Sequence, residues 1–446
     1  MRAILVVGPL GTCLLAPLTT LKTGDIQPVE FFLGFWMLLV VVWIAINDWS
    51  FFARPELMRL SRHYAIFFLL TLAISLFALR LEFYPPPVAA GHLFKARGIL
   101  SIARLAQFGL AASAMIVLAN LTSRDPRLIR FLAAAYMWVG VTNATYAIAS
   151  WLALYLAHID LLGAYVTESG RLVDQLPRAR AFFNEGGPYG VYAVSVILVT
   201  LFRRSALHDI KRGTMGAVLL LVGSSLALSA SKAGIICSIS LWLWQSLHKF
   251  RVRQIAAAVA VAAAILTTPL VQGVENYWYA YQVLEYAAAQ DPHDYNLVVG
   301  RVAGMYIMPR MVADHPISGV GFGNYPLIRN SPQYLQMLPD EDVWDIPGLG
   351  LIEFTAELGI PMFLYLLWIV WTPVRIGRRL GVPGIALVLG GFQLFAELLG
   401  AQITFFYPWL ATSLAMGFML EVGRSGNAVA PRGSGRTRAL LAGENG

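Results

Sequence analysis

Runs of about 20 apolar residues, almost free of charge, recur along the whole chain. A helix of that length just crosses the hydrocarbon core of a bilayer. Only 13% of the 446 residues are charged, whereas soluble domains carry about 25% because their surfaces face water. The short alternating strands of a membrane barrel are not the pattern here. The sequence therefore predicts an all-α fold, a polytopic membrane helical bundle.

Twelve membrane-spanning segments are predicted, and they form a single transmembrane domain over residues 1–422. A stretch rich in Gly, Ser and Arg follows at 423–446, and its composition predicts a disordered tail. The first segment has the length of a signal peptide, but two prolines interrupt it and it has no clear cleavage site, so we expect it to be retained. The twelve segments lie at 2–21, 29–47, 63–80, 99–119, 128–157, 188–202, 214–230, 233–248, 254–271, 349–374, 382–398 and 403–421.

The net charge of +8 is divided unevenly between the two sides of the predicted bundle. If the N-terminus is cytoplasmic, the cytoplasmic side collects 21 Lys/Arg against 6 Asp/Glu, and the remainder holds 12 against 19. Loops rich in Lys and Arg stay in the cytoplasm. The basic balance is therefore a topology signal and not a nucleic-acid surface. It places both termini inside and the large loop at 272–348, between the ninth and tenth segments, outside.

Several chemistries have no support in the sequence. The chain contains no GxxxxGK(S/T) motif, and its glycine cluster at 319–324 follows no strand, so a nucleotide site is not predicted. Asp340 and Asp342 resemble a metal-binding DxD pair, but an exposed acidic turn is the simpler interpretation. Cys13 and Cys237 fall inside predicted helices, where a small buried apolar residue is expected rather than a disulfide or metal ligand. No cofactor and no metal are predicted.

The most specific sequence motif in the chain lies at 300–325 and reads GRVAGMYIMPRMVADHPISGVGFGNY. It resembles the signature of the O-antigen ligase and O-antigen polymerase superfamily, in which a Gly-Arg pair opens a helix and a (D/N)HP turn and a GxGxGN(F/Y) segment follow. Three other stretches are similar to family motifs: RAFFNEGGPYGVYAV at 180–194, LSASKAG at 228–234 and FTAELGIPMFLYLL at 354–367. The resemblance covers about 180–375.

The resemblance implies a membrane glycosyltransferase with a glycosyltransferase C-like helical fold and no nucleotide or essential metal. Such enzymes take a glycan from a polyprenyl diphosphate carrier, here undecaprenyl diphosphate, on the periplasmic face of the bacterial inner membrane. They pass it to an acceptor hydroxyl, which belongs to the lipopolysaccharide core in ligases and to another carrier-linked unit in polymerases. The implied partners are the carrier-linked glycan, an acceptor glycan or glycolipid, and possible assembly proteins such as a flippase and a chain-length regulator.

A diphosphate leaving group needs positive charge, which arginine supplies as a bidentate clamp. Arg301, from the Gly-Arg pair, is the best candidate for this role, with a structural salt bridge as the alternative. Lys232 stands where the family has arginine in an SRG turn. Arg104 could line the cavity or extend to the membrane interface. Arg180 and Asn184, from the second family stretch, complete the predicted substrate-binding set.

The acceptor hydroxyl needs a base within hydrogen-bond reach. The ligases carry a histidine eleven residues before the glycine that corresponds to Gly359, but this sequence has Gly348 there. The candidate bases are therefore Asp345, Glu353 and His315. Asp345 could equally belong to a solvated acidic loop, and His315 could serve only to cap its turn.

The absent histidine favours a polymerase over a ligase. Two other classes remain open on sequence alone. A transporter or lipid-carrier flippase would be expected to show inverted repeats with interrupted helices at matching positions, and the sequence displays no such symmetry. A non-catalytic partner in polysaccharide assembly would also be compatible with the missing histidine.

Overall fold

The computed structural model describes most of the N-terminal half of the chain and several separate parts of the C-terminal half. Within these residues every regular element is a helix, as the sequence predicts. Five helices are long and apolar enough to cross a membrane: Pro28–Ile46, Pro55–Arg80, Ile99–Arg124, Pro126–Ala157 and Ile352–Arg379. The described residues are 2–19, 27–47, 54–86, 96, 98–161, 178–183, 186–204, 210–231, 233–235, 237–239, 279, 282–290, 301–336, 338, 340, 350–380, 392–393 and 405–429.

The first seven helices overlap the first seven predicted segments, with differences at their ends: α1 is shorter than predicted and α3 begins earlier than predicted. They are α1 (Arg2–Leu15), α2 (Pro28–Asn47), α3 (Pro55–Phe77), α4 (Ile99–Arg124), α5 (Pro126–Ala157), α6 (Gly186–Phe202) and α7 (Arg212–Leu228). The segments predicted at 233–248, 254–271 and 382–398 lie largely outside the described residues. The total of twelve spans therefore stays a prediction.

The C-terminal half contributes seven more helices to the described structure. They are α8 (Leu284–Gln290), α9 (Arg301–Asp314), α10 (Tyr325–Ile328), α11 (Pro332–Leu335), α12 (Leu351–Val370), α13 (Thr372–Arg379) and α14 (Phe406–Val429). Helix α14 continues past Gly423, where the sequence predicted the tail to begin.

Local sequence explains why one helix gives way to the next between α4 and α5. Asp125 is extended, and its carboxylate accepts a hydrogen bond from the main-chain N–H of Arg127 at 2.9 Å. Pro126 follows at the first helical position, where its missing N–H costs nothing. An N-cap of this kind is typically worth about 1 kcal/mol. The pair therefore ends α4 and starts α5 within two residues.

Helix α14 runs parallel to α4 through the middle of the bundle. Trp409 packs against Phe108 with ring centroids 5.6 Å apart, and further along Gly417 lies directly against Thr122. Only a glycine allows that approach, because a Cβ at position 417 would overlap the threonine hydroxyl. The N-termini of α4 and α14 therefore lie at the same end of the bundle.

The same end collects the termini of four more helices. Gly98, before α4, packs on Leu79 after α3, and Tyr407 of α14 donates a hydrogen bond to the carbonyl of Pro188 in α6 at 3.0 Å. Helix α12 runs antiparallel to α3, because Tyr365 near its C-terminal end contacts His63 near the start of α3. We call this end, where α4, α6, α12 and α14 begin and α3 and α7 end, the α4 end.

The described part of the predicted large loop is folded into a small helical unit. Helices α9, α10 and α11 share an apolar core that includes Val302, Ile307, Met311 and Leu335, each at most 3% exposed, and that packs against Ala356 of α12. The hydrophilic composition of 272–348 predicted a loop without indicating this core. The unit fixes the segment after α9 against α12, where the candidate site lies.

Candidate functional site

Helix α12 is broken at Gly359, whose φ of 75° and ψ of 162° are not helical. In a continuous helix the carbonyls of Ala356 and Glu357 would accept hydrogen bonds from the N–H groups of residues 360 and 361. The break turns the first donor away, and residue 361 is proline, which has no N–H. Two main-chain carbonyls of α12 are thus left without their usual donors in an apolar environment, where unsatisfied backbone groups are costly.

The residues between α9 and α10 supply the missing partners. Val320 N–H donates to the Ala356 carbonyl and Gly321 N–H to the Glu357 carbonyl, both at 2.9 Å. In return, Ile360 N–H donates to the Pro316 carbonyl at 2.8 Å. We call residues 316–324 the glycine loop. Three main-chain hydrogen bonds therefore fix the glycine loop to the break in α12.

Glycine is required in this loop for conformation and for space. Gly319, Gly321 and Gly323 have φ values of 58°, 91° and 76°, in the left-handed region that other residues rarely adopt. A Cβ at Gly319 would also stand 2.6 Å from the main-chain nitrogen of Gly359. The GxGxG spacing of the sequence motif is thus explained by the left-handed conformation of all three glycines and, at Gly319, by contact with the backbone of α12.

The glycine loop also contacts α3 and α4. Phe322 N–H donates to Ser75 Oγ at 3.1 Å. Ser101 Oγ donates to Asn324 Oδ1 at 2.8 Å, and Asn324 Nδ2 donates back to the Val320 carbonyl at 3.0 Å. Asn324 is fully buried. The asparagine of the family motif therefore joins the loop to α4.

Glu357 lies beneath this loop and is 3% exposed. Its Oε1 accepts a hydrogen bond from Tyr325 N–H at 3.2 Å, and Gly323 N–H also donates to the carboxylate. The electrostatic field of Arg104 acts on it as well. A buried carboxylate is retained when hydrogen bonds and an opposite charge compensate its lost hydration. Glu357 therefore anchors the first turn of α10.

Glu353 lies one helical turn before Glu357, on the same face of α12. It occupies the third helical position after the N-cap Gly350, and the Gly350 main-chain N–H donates to its carboxylate. This is the back-reaching half of a capping box. Unlike Glu357, Glu353 is only half-buried. The cap thus orients its carboxylate, on a side chain that is less buried than that of Glu357.

Arg104 compensates the charge of both carboxylates. It acts electrostatically on Glu353 and on Glu357, and its stem lies so close to Gly323 that a Cβ there would be 2.9 Å from Arg104 Cγ. We call Arg104, Glu353 and Glu357 the carboxylate cluster. The cluster joins α4 to α12 across roughly 250 residues of sequence. Chemically, it offers one carboxylate oriented by a helix cap beside a permanent positive charge.

A second group of predicted residues meets at the same end of the bundle. Ala179 N–H donates to the Leu228 carbonyl at 3.1 Å, which places Arg180 beside the turn Ser229–Ser231 that follows α7. Arg180 is 1% exposed. We call Ser229–Ser231 the serine turn, and Lys232 is the next residue in the chain.

The serine turn is packed against the start of α6. Ser231 Oγ donates to the Gly187 carbonyl at 3.0 Å. Gly190 and Gly234 approach so closely that a Cβ on Gly234 would be 2.8 Å from the carbonyl carbon of Gly190. The two family stretches at 180–194 and 228–234 therefore form one contact, which their separate motifs did not indicate.

The first turns of α14 lie between the two groups. Tyr407 contacts Phe183, which is close to Arg180, with ring centroids 5.7 Å apart. Trp409 contacts Phe108, and Phe108 in turn contacts Phe322 of the glycine loop with centroids 6.3 Å apart. Aromatic contacts therefore connect the serine turn region to the carboxylate cluster.

The structure describes some of the predicted site residues and not others. Asp345, Lys232 and Asn184 lie outside the described residues. Arg301 is the first residue of α9, and its side chain lies outside the described part.

His315 directly follows α9: its N–H donates to the Met311 carbonyl and its carbonyl accepts from Gly319 N–H, both at 2.9 Å. These main-chain contacts place it in the turn after α9. Its part in catalysis stays a prediction.

Sequence reasoning missed Glu357, Ser101 and Asn324. A signal for Glu357 was present, because AELGIP places an acid two residues before a glycine and four before a proline, and these two residues together break a helix. The pairing of Ser101 with Asn324 had no such signal. Both cysteines are free and buried, as predicted. Over the described residues, no group of three His, Cys, Asp or Glu side chains is placed to hold a metal ion.

The fold and the site define a multi-pass, all-helical membrane protein with a charge-compensated carboxylate cluster at one end of its bundle. Residues 214–367 match the family model described as O-Antigen ligase (Wzy_C). This match confirms the resemblance to the O-antigen ligase and polymerase superfamily. It covers about a third of the chain and includes the serine turn, the glycine loop and both glutamates, while Arg104 and Arg180 lie outside it. No curated protein matches the chain.

Proposed function

We propose that this protein transfers a glycan from undecaprenyl diphosphate to an acceptor hydroxyl at the periplasmic face of a bacterial inner membrane, as a polymerase rather than a ligase. The observation that carries the proposal is that the Arg104–Glu353 pair lies at the same end of the bundle as Arg180 and the serine turn, with the first turns of α14 between them. A base and a group of cations are the two things this transfer needs. The family match over the glycine loop supports the same reaction.

Glu353 is proposed as the base. The acceptor hydroxyl oxygen attacks the anomeric carbon and forms the new glycosidic bond. The bond from that carbon to the carrier phosphate breaks, and its electron pair leaves with the diphosphate. The hydroxyl proton passes to the Glu353 carboxylate. Glu353 is a better candidate than Glu357 because its side chain is the less buried of the two, whereas the Glu357 carboxylate holds the first turn of α10.

Arg104 and Glu357 are proposed as positioning residues. Two carboxylates one helical turn apart repel each other, and the positive charge of Arg104 beside both favours their ionised forms. Arg104 would thus keep Glu353 able to accept a proton, which differs from the phosphate-binding role expected from sequence. Glu357 would hold the glycine loop and, through it, the stem of Arg104.

The diphosphate is proposed to bind near the serine turn. Arg180, Lys232 and Asn184 belong to the two stretches that meet there, and Arg301 is the further cation that the family motif supplies. Arginine and lysine together can neutralise a leaving diphosphate without donating a proton. Support for this location comes from the Ala179–Leu228 hydrogen bond and from the burial of Arg180.

The variant Glu353→Gln separates catalysis from helix capping. Glutamine also suits the third position of a capping box, so the fold should be kept while the basicity is lost. We expect transfer of a carrier-linked glycan by the purified protein to fall roughly 10²- to 10⁴-fold, the usual contribution of general base catalysis. The matched control is Glu82→Gln, an exposed glutamate at the same end of the bundle, which should leave activity unchanged.

Full activity in Glu353→Gln would remove Glu353 from the mechanism and leave Asp345 and His315 as the bases to test. The conservative change Arg104→Lys keeps the charge, so it should retain more activity than Arg104→Met. Equal loss in both variants would contradict a purely electrostatic role.

Product analysis tests polymerase against ligase. A polymerase elongates glycan that stays on the carrier, whereas a ligase moves it to a lipopolysaccharide core. We expect a ladder of lengthening carrier-linked products when the carrier-linked unit is the only substrate. Absence of that ladder, together with transfer to an added core acceptor, would establish the ligase alternative.

The proposed orientation can be tested by cysteine labelling in intact cells. Cys13 and Cys237 are buried, so the native background should be low. We expect an impermeant thiol reagent to label Gln290→Cys, at the end of α8, and not Ser205→Cys in the loop between α6 and α7. The opposite pattern would reverse the topology.

A further inference from the structure

A cavity of about 420 Å³ lies at the opposite end of the bundle from the carboxylate cluster. It opens between the first turns of α3 and the junction of α12 with α13. Its lining includes Arg59 and His63 from α3 and Trp368, Arg375 and Arg379 from the other side. We call it the arginine pocket.

Positive charge is concentrated in the arginine pocket. Three arginines line it, and Glu56 is the acidic side chain among its lining residues. His63 lies within electrostatic range of Arg59 and Arg375, and Arg375 is in turn within range of Arg59 and Arg379. Like charges this close repel one another. An anion bound between them would relieve that repulsion.

The guanidinium of Arg375 is held in place by contacts on two sides. It lies 3.8 Å from the centroid of the Trp368 ring. Its Nη2 donates to the Trp368 carbonyl at 2.9 Å and to Thr372 Oγ1 at 2.5 Å. Because a guanidinium has five N–H donors in a rigid fork, these contacts orient it while the fork retains further donors. Less conformational entropy is then lost when a ligand binds.

The abundance of arginine in cytoplasmic loops explains why the residues at this end of the bundle are basic. It does not explain why three of the arginines line the same pocket. Arg59 and the α13 arginines come from helices more than 300 residues apart in sequence, and they face one cavity. A planar guanidinium fork matches the oxygens of a phosphate group. Trp368 is 41% exposed next to the pocket, as is common for tryptophan at the depth of lipid headgroups.

We propose that the arginine pocket binds a phosphate group, carried by the headgroup of an anionic phospholipid or present as a free phosphate anion. The volume of about 420 Å³ accommodates a headgroup. The pocket is separate from the proposed transfer site, since α3 and α12 each extend from one to the other across the bundle. Binding here therefore does not depend on whether the protein transfers a glycan.

The test uses the full-length protein purified in detergent and native mass spectrometry of bound lipid. Phosphatidylglycerol and phosphatidylcholine are titrated in parallel, and inorganic phosphate is added as a competitor. We expect phosphatidylglycerol to bind more tightly than phosphatidylcholine. Each arginine removed should weaken its binding about fivefold, the effect of one basic residue near an anionic membrane surface.

The double variant Arg59→Gln, Arg379→Gln removes two charges from exposed positions and should fold normally. We expect a roughly 25-fold loss of phosphatidylglycerol affinity from it. The matched control Arg127→Gln removes an exposed arginine at the same end of the bundle but outside the pocket, and should bind like the parent.

Competition by millimolar phosphate would identify the free anion as a ligand, and its absence would assign the pocket to lipid. Equal affinity for the two lipids without any phosphate binding would overturn the proposal. So would a double variant that binds phosphatidylglycerol as tightly as Arg127→Gln.

Discussion

Replacing Gly359 by alanine tests whether the break in α12 and the glycine loop stabilise each other. The main chain of Gly359 has φ 75° and ψ 162°, and forcing a residue with a Cβ into such a region costs about 1–3 kcal/mol. The added Cβ would also lie 2.5 Å from the carbonyl carbon of Ile317 and 3.0 Å from the nitrogen of Gly319. Both are backbone atoms, so the glycine loop would have to move.

That movement would break the exchange of hydrogen bonds at the junction. The three bonds are Val320 N–H to the Ala356 carbonyl, Gly321 N–H to the Glu357 carbonyl and Ile360 N–H to the Pro316 carbonyl. Each contributes about 1 kcal/mol net. Together with the backbone strain, the expected loss in the free energy of unfolding is about 4–6 kcal/mol. A loss of this size is a large share of the roughly 5–15 kcal/mol that stabilises a typical folded protein.

The assay is unfolding of the purified protein in mixed micelles by increasing SDS, followed by far-UV circular dichroism. Two glycine variants provide matched controls. Gly98→Ala places a Cβ at a φ of 78°, but the nearest contact is the flexible side chain of Leu79 at 3.2 Å, so only the backbone cost of about 1–3 kcal/mol should appear. Gly223→Ala lies within α7 with no atom within 4 Å of the new Cβ, and should be neutral or stabilising by up to about 1 kcal/mol.

The reasoning would be refuted if Gly359→Ala were no less stable than Gly98→Ala. In that case the contacts between the glycine loop and α12 would add nothing to the free energy of unfolding beyond the backbone cost at a single residue. If Gly359→Ala lost stability but kept full glycan transfer activity, the conformation of the glycine loop would not be needed for the proposed reaction.

Three further predictions concern the surroundings of the site. Ser101→Ala should cost about 1–3 kcal/mol of unfolding free energy, because it leaves the buried Asn324 Oδ1 without its hydroxyl donor. A double-mutant cycle with Asn324→Ala should give a coupling energy clearly above zero, and additive effects of the two variants would contradict the pairing. Tyr407→Phe should cost about 1 kcal/mol by removing the 3.0 Å bond to the Pro188 carbonyl, and SDS unfolding that matches the parent would show this bond to be dispensable. Burial, with the Asp314 carboxylate nearby, raises the pKa of Tyr334 from about 10 to about 12. The folded state therefore holds the hydroxyl proton more tightly than the unfolded state, so this contribution to stability should be complete below pH 10 and fall as pH rises towards 12. The parent protein should lose unfolding free energy between pH 9 and pH 11, and Tyr334→Phe should not show this part of the loss.

Much of the architecture could be predicted from the sequence alone. The apolar runs predicted the long helices that the structure describes, including α2, predicted at 29–47 and found at Pro28–Asn47, and α5, predicted at 128–157 and found at Pro126–Ala157. The motif at 300–325 indicated the resemblance to a family that the match at 214–367 confirms. These features are local in sequence. The free energy of transferring a span into the membrane is summed over about 20 consecutive residues, and a motif is defined by residues that are close together in the chain.

The site itself depended on contacts that no local pattern contains. Arg104 compensates two glutamates that follow it by roughly 250 residues, and Glu353 was predicted without its partner. The motif glycines were recognised, but not their contact with the break at Gly359. A break in a membrane helix predicts that main-chain carbonyls beside the break need hydrogen-bond donors from elsewhere in the protein. The packing of distant helices decides which segment supplies those donors. Hydrogen bonds and charge pairs act over a few ångströms between segments, so only the tertiary structure determines them.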